Sequence, residues 1–383
     1  MNHLNYDQLN NEERLILLTS KIALTSEEEK QIGTIIEEGF DVGRYTAIAV
    51  KHKVLQLSSR HVIRLDHKDK VNMQYKRLFE YNYLGNKEKN NLLFLELANL
   101  LRHFAKKGIK VIPVKGVILA PELYGDYGLR TLNDIDFIIR PEDRTKVSNA
   151  LLEEGYDIGD YDWASQEIIP AKKEEALMWK MNAGNLHPHV KMVENPFLKC
   201  VRVDFSYDVD LQKDFQATQS LMQNAKESTL LEIKVDRLDQ IDFLLHISIH
   251  LYKEASNVKW ITMGEELSLI KFCDFREYLL SINEQLDWQM VYKRAQQLNA
   301  VSSMYYSLFF CNFLYRENYG NEFMANVQEM NITEIDQFGQ ADYNRKVQWE
   351  KPFIERFFSD SNRDQLTSGS KLDSYKQSLS TKS

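Results

Sequence analysis

Cysteine is scarce in this chain: Cys200, Cys273 and Cys311 are the only three among 383 residues, far apart and without paired spacing. That excludes a disulfide framework and a thiolate zinc ribbon, and points to a reducing cytoplasm. Long apolar runs are missing as well. No uninterrupted apolar stretch reaches the roughly 18 residues a spanning helix needs. The start, Met1-Asn2-His3-Leu4-Asn5-Tyr6-Asp7, lacks the basic segment and apolar run of a secretory leader. The expectation is a soluble intracellular protein with no membrane partner. Positive charge is not in excess either: 56 acidic against 48 basic residues leave a net charge of −8. This disfavours a long nucleic acid as the main partner but leaves room for a local basic patch. What the chain does have is apolar surface to bury, 43% of its residues being hydrophobic. Its length suits two or three compact units of roughly 100–200 residues each.

Residues 10–107 read as helical, with apolar side chains three and four apart, as in Leu15, Leu18 and Ile22, then Ile32, Ile35 and Ile36. Thr25-Ser26-Glu27-Glu28-Glu29 has the form of a helix start, a hydroxyl cap followed by acids in the first turn. A long helix over residues 88–107 stops at Gly108, and a strand over 109–114 follows. Pro113 cannot donate to a ladder and so marks an edge or an end. A second strand opens at Asp134. Pro141-Glu142-Asp143 then begins a helix that runs to Glu154 and ends at Gly155. Residues 201–207 alternate: Val201, Val203 and Phe205 take one face, Arg202, Asp204 and Ser206 the other. Weaker strand signals lie at 167–169, 190–193 and 230–235. Helical spacing returns from Gln240, and 359–383, rich in Ser, Asp, Lys and Gln, reads as a frayed or disordered tail. The predicted fold class is α+β. A small mixed β-sheet core over 108–236 is flanked by an N-terminal helical region, 1–107, and a C-terminal one, 237–358.

Within that core Asp134 and Asp136 stand two residues apart on a predicted strand, so their side chains share a face while Ile135, Phe137 and Ile139 take the other. Two like charges that close in a partly desolvated place need a proton or a metal. Magnesium suits them, because it takes one or two carboxylates and leaves its other positions to water and phosphates. Asp204 becomes a third acid if its strand neighbours theirs; Asp208 and Asp210 take its place if the register slips. Three acids can hold two magnesium ions, which activate an attacking hydroxyl, bridge the phosphates of a nucleoside triphosphate and stabilise leaving pyrophosphate. In that scheme Asp134 and Asp136 bind both ions, and Asp204 completes the one that activates the acceptor. Lys115-Gly116 fits the nucleotide half of the task, since glycine lets backbone approach a phosphate and the helix after it offers N–H groups to an anion. A helix beginning near Ile118 keeps Pro121 among its first four residues, where a missing N–H is harmless. Lys115 and Arg130 are the cations expected near the triphosphate.

Val114-Lys115-Gly116, Leu123-Tyr124, Gly128-Leu129-Arg130 and Asn133-Asp134-Ile135-Asp136, followed by Arg140-Pro141-Glu142-Asp143, resemble the bacterial nucleotidyltransferase family of uncharacterised members within the polymerase-β-like superfamily. The likeness continues in Gly155-Tyr156 and in Val203-Asp204-Phe205, at the family's third acid, and more loosely from Leu245-His246 to Asp274. It implies a small mixed sheet with flanking helices and a magnesium-dependent enzyme. That enzyme moves a nucleoside monophosphate, most simply AMP from ATP, to a hydroxyl or similar acceptor of a small molecule, peptide or protein, releasing pyrophosphate. There are two departures. The superfamily at large usually carries Gly-Ser or Gly-Gly where this chain has Lys115-Gly116, and Phe205-Ser206 stands where members often have an aromatic or histidine pair.

Plainer readings stand beside these. Asp134 and Asp136 could be surface acids at a strand end, Arg130 a structural ion-pair partner, and Lys115 a solvated strand-end charge. His246 and His250 have the i, i+4 spacing that zinc enzymes use, but Ile247 occupies the position of the accompanying glutamate, which favours helix packing. His187-Pro188-His189 reads as a polar turn, and Tyr305, Tyr306, Phe309, Phe310 and Phe313 as a packing stripe. The competing function is a catalytically silent relative that binds a nucleotide or a partner, antitoxin-like or scaffolding. A divergent phosphotransferase, attacking a different phosphorus, is a third.

Overall fold

The helix start expected at Thr25 is built as a reciprocal cap in the computed structural model, which describes residues 4–172, 184–327, 330–339 and 346–366. Thr25 accepts from the Glu28 N–H and Glu28 returns to the Thr25 N–H, satisfying two donors that the first turn of a helix leaves orphaned. Two compact units emerge. One comprises Met1–Tyr83, Ile247–Ala295 and Ala300–Ser383, the other Leu84–His246 with Gln296–Asn299. Among the described residues no helix is long and apolar enough to cross a membrane.

The first unit is helical. Its α1 (Asn11–Thr19), α2 (Ser26–Glu38), α3 (Val42–Lys51) and α4 (Leu55–Leu65) bury Leu15, Leu17, Ile32, Ile35, Tyr45 and Leu57. The helices Leu269–Ile282 and Val301–Tyr315 join the same core: Tyr6 Oη donates to Leu314 O at 2.8 Å and Tyr315 Oη to Ser20 O at 3.1 Å. Segments nearly three hundred residues apart are thus one packed body. Phe310 stacks on Phe353 at 3.8 Å, so the aromatic stripe is packing surface. Of the expected tail, residues 359–366 are described: Asn362 is buried and donates to Glu266 Oε1 at 2.7 Å, ahead of a short turn at Arg363–Gln365. Residues 367–383 lie outside the described residues.

The second unit holds the sheet. Its strands are β1 (Ile112–Val114), β2 (Ile135–Ile138), β3 (Asp157–Asp162), β4 (Glu167–Pro170), β5 (His189–Met192) and β6 (Cys200–Ser206), in the order β1-β2-β6-β5-β3-β4. β2 and β6 are parallel and every other pair antiparallel, which makes the sheet mixed. β1, with Pro113, is an edge. The later part of α5 (Met73–Lys106) covers one face, where Phe104 meets Phe137 and Phe205 edge-on at 5.9 Å each, and Glu96 binds Lys191 at 2.8 Å. After α6 (Gly116–Leu119), α7 (Arg144–Glu153) adds to that face through Ser148, which lies 2.9 Å from His189 Nε2. His189 is therefore a buried core histidine, held neutral because burial pushes its pKa down to about 4.

Two local expectations need correction. The segment 230–235 is strand at both ends but not one strand: Leu231 and Glu232, at φ +51° and +63°, form the turn between β7 (Lys226–Leu230) and β8 (Ile233–Arg237). Two left-handed residues are what a tight hairpin of this twist requires, yet neither Leu nor Glu favours them. Leu231→Asn with Glu232→Gly is therefore expected to stabilise the hairpin by about 1 kcal/mol. Slower amide exchange along Lys226–Arg237 would show it. Second, the helix after Lys115 begins at Gly116, not near Ile118, so Pro121 falls past its first turn. A proline there has no N–H for the carbonyl four residues back and crowds it. The chain answers by widening into a π turn over Ala120–Tyr124, ended by Gly125 at φ +63°.

Candidate active site

The register of β2 on β6 sets Asp136 opposite Asp204 and Phe137 opposite Phe205. Residues paired across a ladder share a face, so the sheet sorts its chemistry. The two phenylalanines stack at 5.0 Å on the α5 side, and the two aspartates take the other side. Asp134 lies one residue ahead of β2, and Asp208 and Asp210 lie beyond the end of β6. Asp208 is turned to local backbone, accepting from the Lys213 N–H at 3.1 Å.

Val114 pairs with Asp136 across β1 and β2, which brings the next residue, Lys115, over the acids. Its Nζ lies 2.7 Å from Asp136 Oδ1. Burial works against the Lys115 ammonium, but Asp136, Asp134 and Asp204 more than offset it and raise its pKa. Asp136 is also raised, to about 7: burial contributes most, Asp134 and Asp204 add to it, and Lys115 counters only part. The neighbouring acids act on both groups: they raise Lys115 against its burial and add to what burial already does at Asp136.

Three residues not anticipated from the sequence frame the acids. Asn185 donates to Asp204 Oδ2 at 2.9 Å, while Asp204 Oδ1 is buried with no hydrogen-bond partner among the described residues. Arg202, two residues before Asp204 on β6, binds Asp160 at 2.9 Å and feels Asp134 and Asp204 as well. Asn90 of α5 donates to the carbonyls of Tyr127 and Arg130, at 2.5 and 2.8 Å, and so fixes the loop that leads to β2. Spacing two before an acid on an alternating strand was the available signal for Arg202; nothing local marked Asn90 or Asn185.

Arg130 reaches Gly116. A Cβ on Gly116 would stand 2.3 Å from Arg130 Nη1 and 2.5 Å from Leu132 Cδ2, so the guanidinium occupies space that only glycine leaves open. Lys115, Gly116, Arg130, Asp134, Asp136 and Asp204 thus belong to one neighbourhood in the second unit.

A buried carboxylate oxygen with no partner and an under-neutralised cluster of hard oxygen donors suit a divalent cation of the magnesium type. Among the described residues, though, no group of three or more His, Cys, Asp and Glu side chains closes around an ion. The donor set fits magnesium bound through one or two carboxylates and completed by phosphates, rather than a self-sufficient metal cage. The zinc-like spacing of His246 and His250 gathers no such group either; His250 pairs with Glu254 at 3.1 Å.

A family model described as uncharacterised nucleotidyltransferase matches residues 38–316, well over half of the chain. No curated protein matches it. The match spans the whole acid-bearing sheet together with the helices on either side of it in sequence, and on that ground the chain belongs to this family of nucleotidyltransferase enzymes.

Proposed function

We propose that this protein, with a polymerase-β-like core, transfers a nucleoside monophosphate, most simply AMP from ATP, to a hydroxyl or similar group of a small molecule, peptide or protein, with pyrophosphate as the other product. The observation that carries this reading is the Asp136–Asp204 register pair with its unpartnered Oδ1 and excess negative charge. Asp134, Asp136 and Asp204 would hold two magnesium ions. When bound, magnesium supplies charge neutralisation at the phosphates and acidifies the acceptor hydroxyl. The protein's own groups do the rest. Asp204 Oδ1 can take the acceptor proton, Arg130 and Lys115 hold phosphate oxygens, and Gly116 leaves the room that Arg130 needs. Net charge of −8 disfavours a long nucleic acid as acceptor, and three unbridged cysteines suit a reducing cytoplasm.

The test is pyrophosphate release with magnesium and each nucleoside triphosphate against a panel of acceptors, with label followed from the α- or the γ-phosphate of ATP. α-Label on the acceptor is the expected result. γ-Label on the acceptor means phosphotransfer, and nucleotide binding without pyrophosphate release means a silent relative. Gly116→Ala adds a local check. The new Cβ meets flexible side-chain ends, so stability should fall by only about 1 kcal/mol, whereas losing Arg130 as a phosphate donor should weaken nucleotide binding about tenfold. Thermal melting and a nucleotide titration on the same sample separate the two effects.

A further inference from the structure

Lys115 holds a backbone conformation that L-residues rarely adopt, φ +57° and ψ −128°, at the point where β1 gives way to α6. Gly116, the next residue, has φ in the ordinary range, so the unusual geometry sits on the residue with a side chain. That backbone is the one that delivers the Lys115 ammonium to Asp136 Oδ1, at 2.7 Å and largely out of water. The bond uses a carboxylate oxygen that an incoming ion needs, in a cluster where no three carboxylates close on a cation by themselves.

We propose that Lys115 is the resident counter-ion of Asp136 and that it changes partner during binding. A divalent ion arriving with a nucleoside triphosphate takes the carboxylate, and the freed ammonium turns to the triphosphate. This rests on the nucleotidyl-transfer reading and adds an order of events to it. A divalent ion carries twice the charge of an ammonium, so the exchange neutralises the acids more fully, while the triphosphate supplies the anion that the lysine then needs. Lysine suits the task because its flexible stem and three rotatable donors can change partner without backbone movement. Metal alone then competes with a tethered cation and binds weakly, and metal and nucleotide each strengthen the other by the same factor.

Binding of Mn²⁺ to the full chain, read from the paramagnetic resonance of the free ion, tests this with and without the α,β-methylene analogue of ATP. Lys115→Met is expected to bind Mn²⁺ alone about tenfold more tightly than wild type, and to lose most of the strengthening that the analogue brings. Lys115→Arg, which keeps the charge, should stay near wild type for Mn²⁺ alone. Equal affinities of wild type and Lys115→Met for Mn²⁺ alone overturn the exchange. Affinity unchanged in Asp136→Asn overturns the metal-site reading itself, a different failure. Should Lys115→Met not fold, the wild type decides: reductive methylation of Lys115, followed by peptide mass, should quicken when Mn²⁺ is added without nucleotide at concentrations that saturate the site. An unchanged rate overturns the proposal.

Discussion

Asp136→Asn is expected to cut pyrophosphate release by about a thousandfold or more while leaving the protein folded. The amide keeps the shape of the carboxyl but cannot carry the charge that a magnesium-bound triphosphate needs opposite it. Stability should hold because the fold already disfavours that charge: burial and Asp134 push the Asp136 carboxyl up to about 7, against Lys115. Removing it relieves repulsion with Asp134 and Asp204, and Lys115 still has those two acids nearby. Unfolding free energy from urea titration should stay within about 1 kcal/mol of wild type. Activity close to wild type would remove Asp136 from the chemistry.

The largest stability effect is expected in the helical unit, from Arg276→Met. Arg276 donates to Glu317 through Nη2 at 2.6 Å and Nε at 3.0 Å, and to Glu277 through Nη1 at 2.5 Å. Lys21, itself buried, binds Glu28 and comes within 3.9 Å of Glu317. Without Arg276, Glu277 and Glu317 are left mostly buried with one distant ammonium between them, a situation that costs about 3–5 kcal/mol. The loss should shrink in acid. Burial holds the Glu277 carboxyl above its ordinary value even with Arg276 pulling it down, and removing Arg276 raises it further. A folded state with the higher carboxyl pKa binds more protons than the unfolded chain, so the variant regains stability as pH falls through the folded value toward the unfolded one near 4. A loss below about 1 kcal/mol at neutral pH, or one that grows in acid, would contradict this account.

Local pattern revealed the strands that differ most on their two faces. Val201, Val203 and Phe205 alternate with Arg202, Asp204 and Ser206, and β6 is buried and half-buried in that rhythm. Pro113 marked an edge strand because a missing donor is legible in one letter. β3 escaped because Asp157, Gly159, Asp160 and Asp162 give no apolar contrast, and pairing on both sides makes it a strand all the same. The β7–β8 turn escaped because Leu231 and Glu232 are not turn residues; the ladders on either side impose the conformation. Helical periodicity announces a buried face without saying what covers it. Residues before Tyr83 and after Ile247 therefore read as two regions, although Tyr6 and Tyr315 bond across them within one unit. The acids were legible as types and spacing. Their register, the Lys115 bond and the Arg130–Gly116 contact are facts of tertiary packing.

Crystals grown with Mn²⁺ and the α,β-methylene analogue of ATP give the most direct test, because manganese is located by its own anomalous scattering. The account predicts manganese between the Asp136 and Asp204 carboxylates, the triphosphate beside Gly116 and Arg130, and Lys115 on a phosphate oxygen. Manganese and nucleotide bound elsewhere, with the Asp136–Lys115 pair intact, would contradict it.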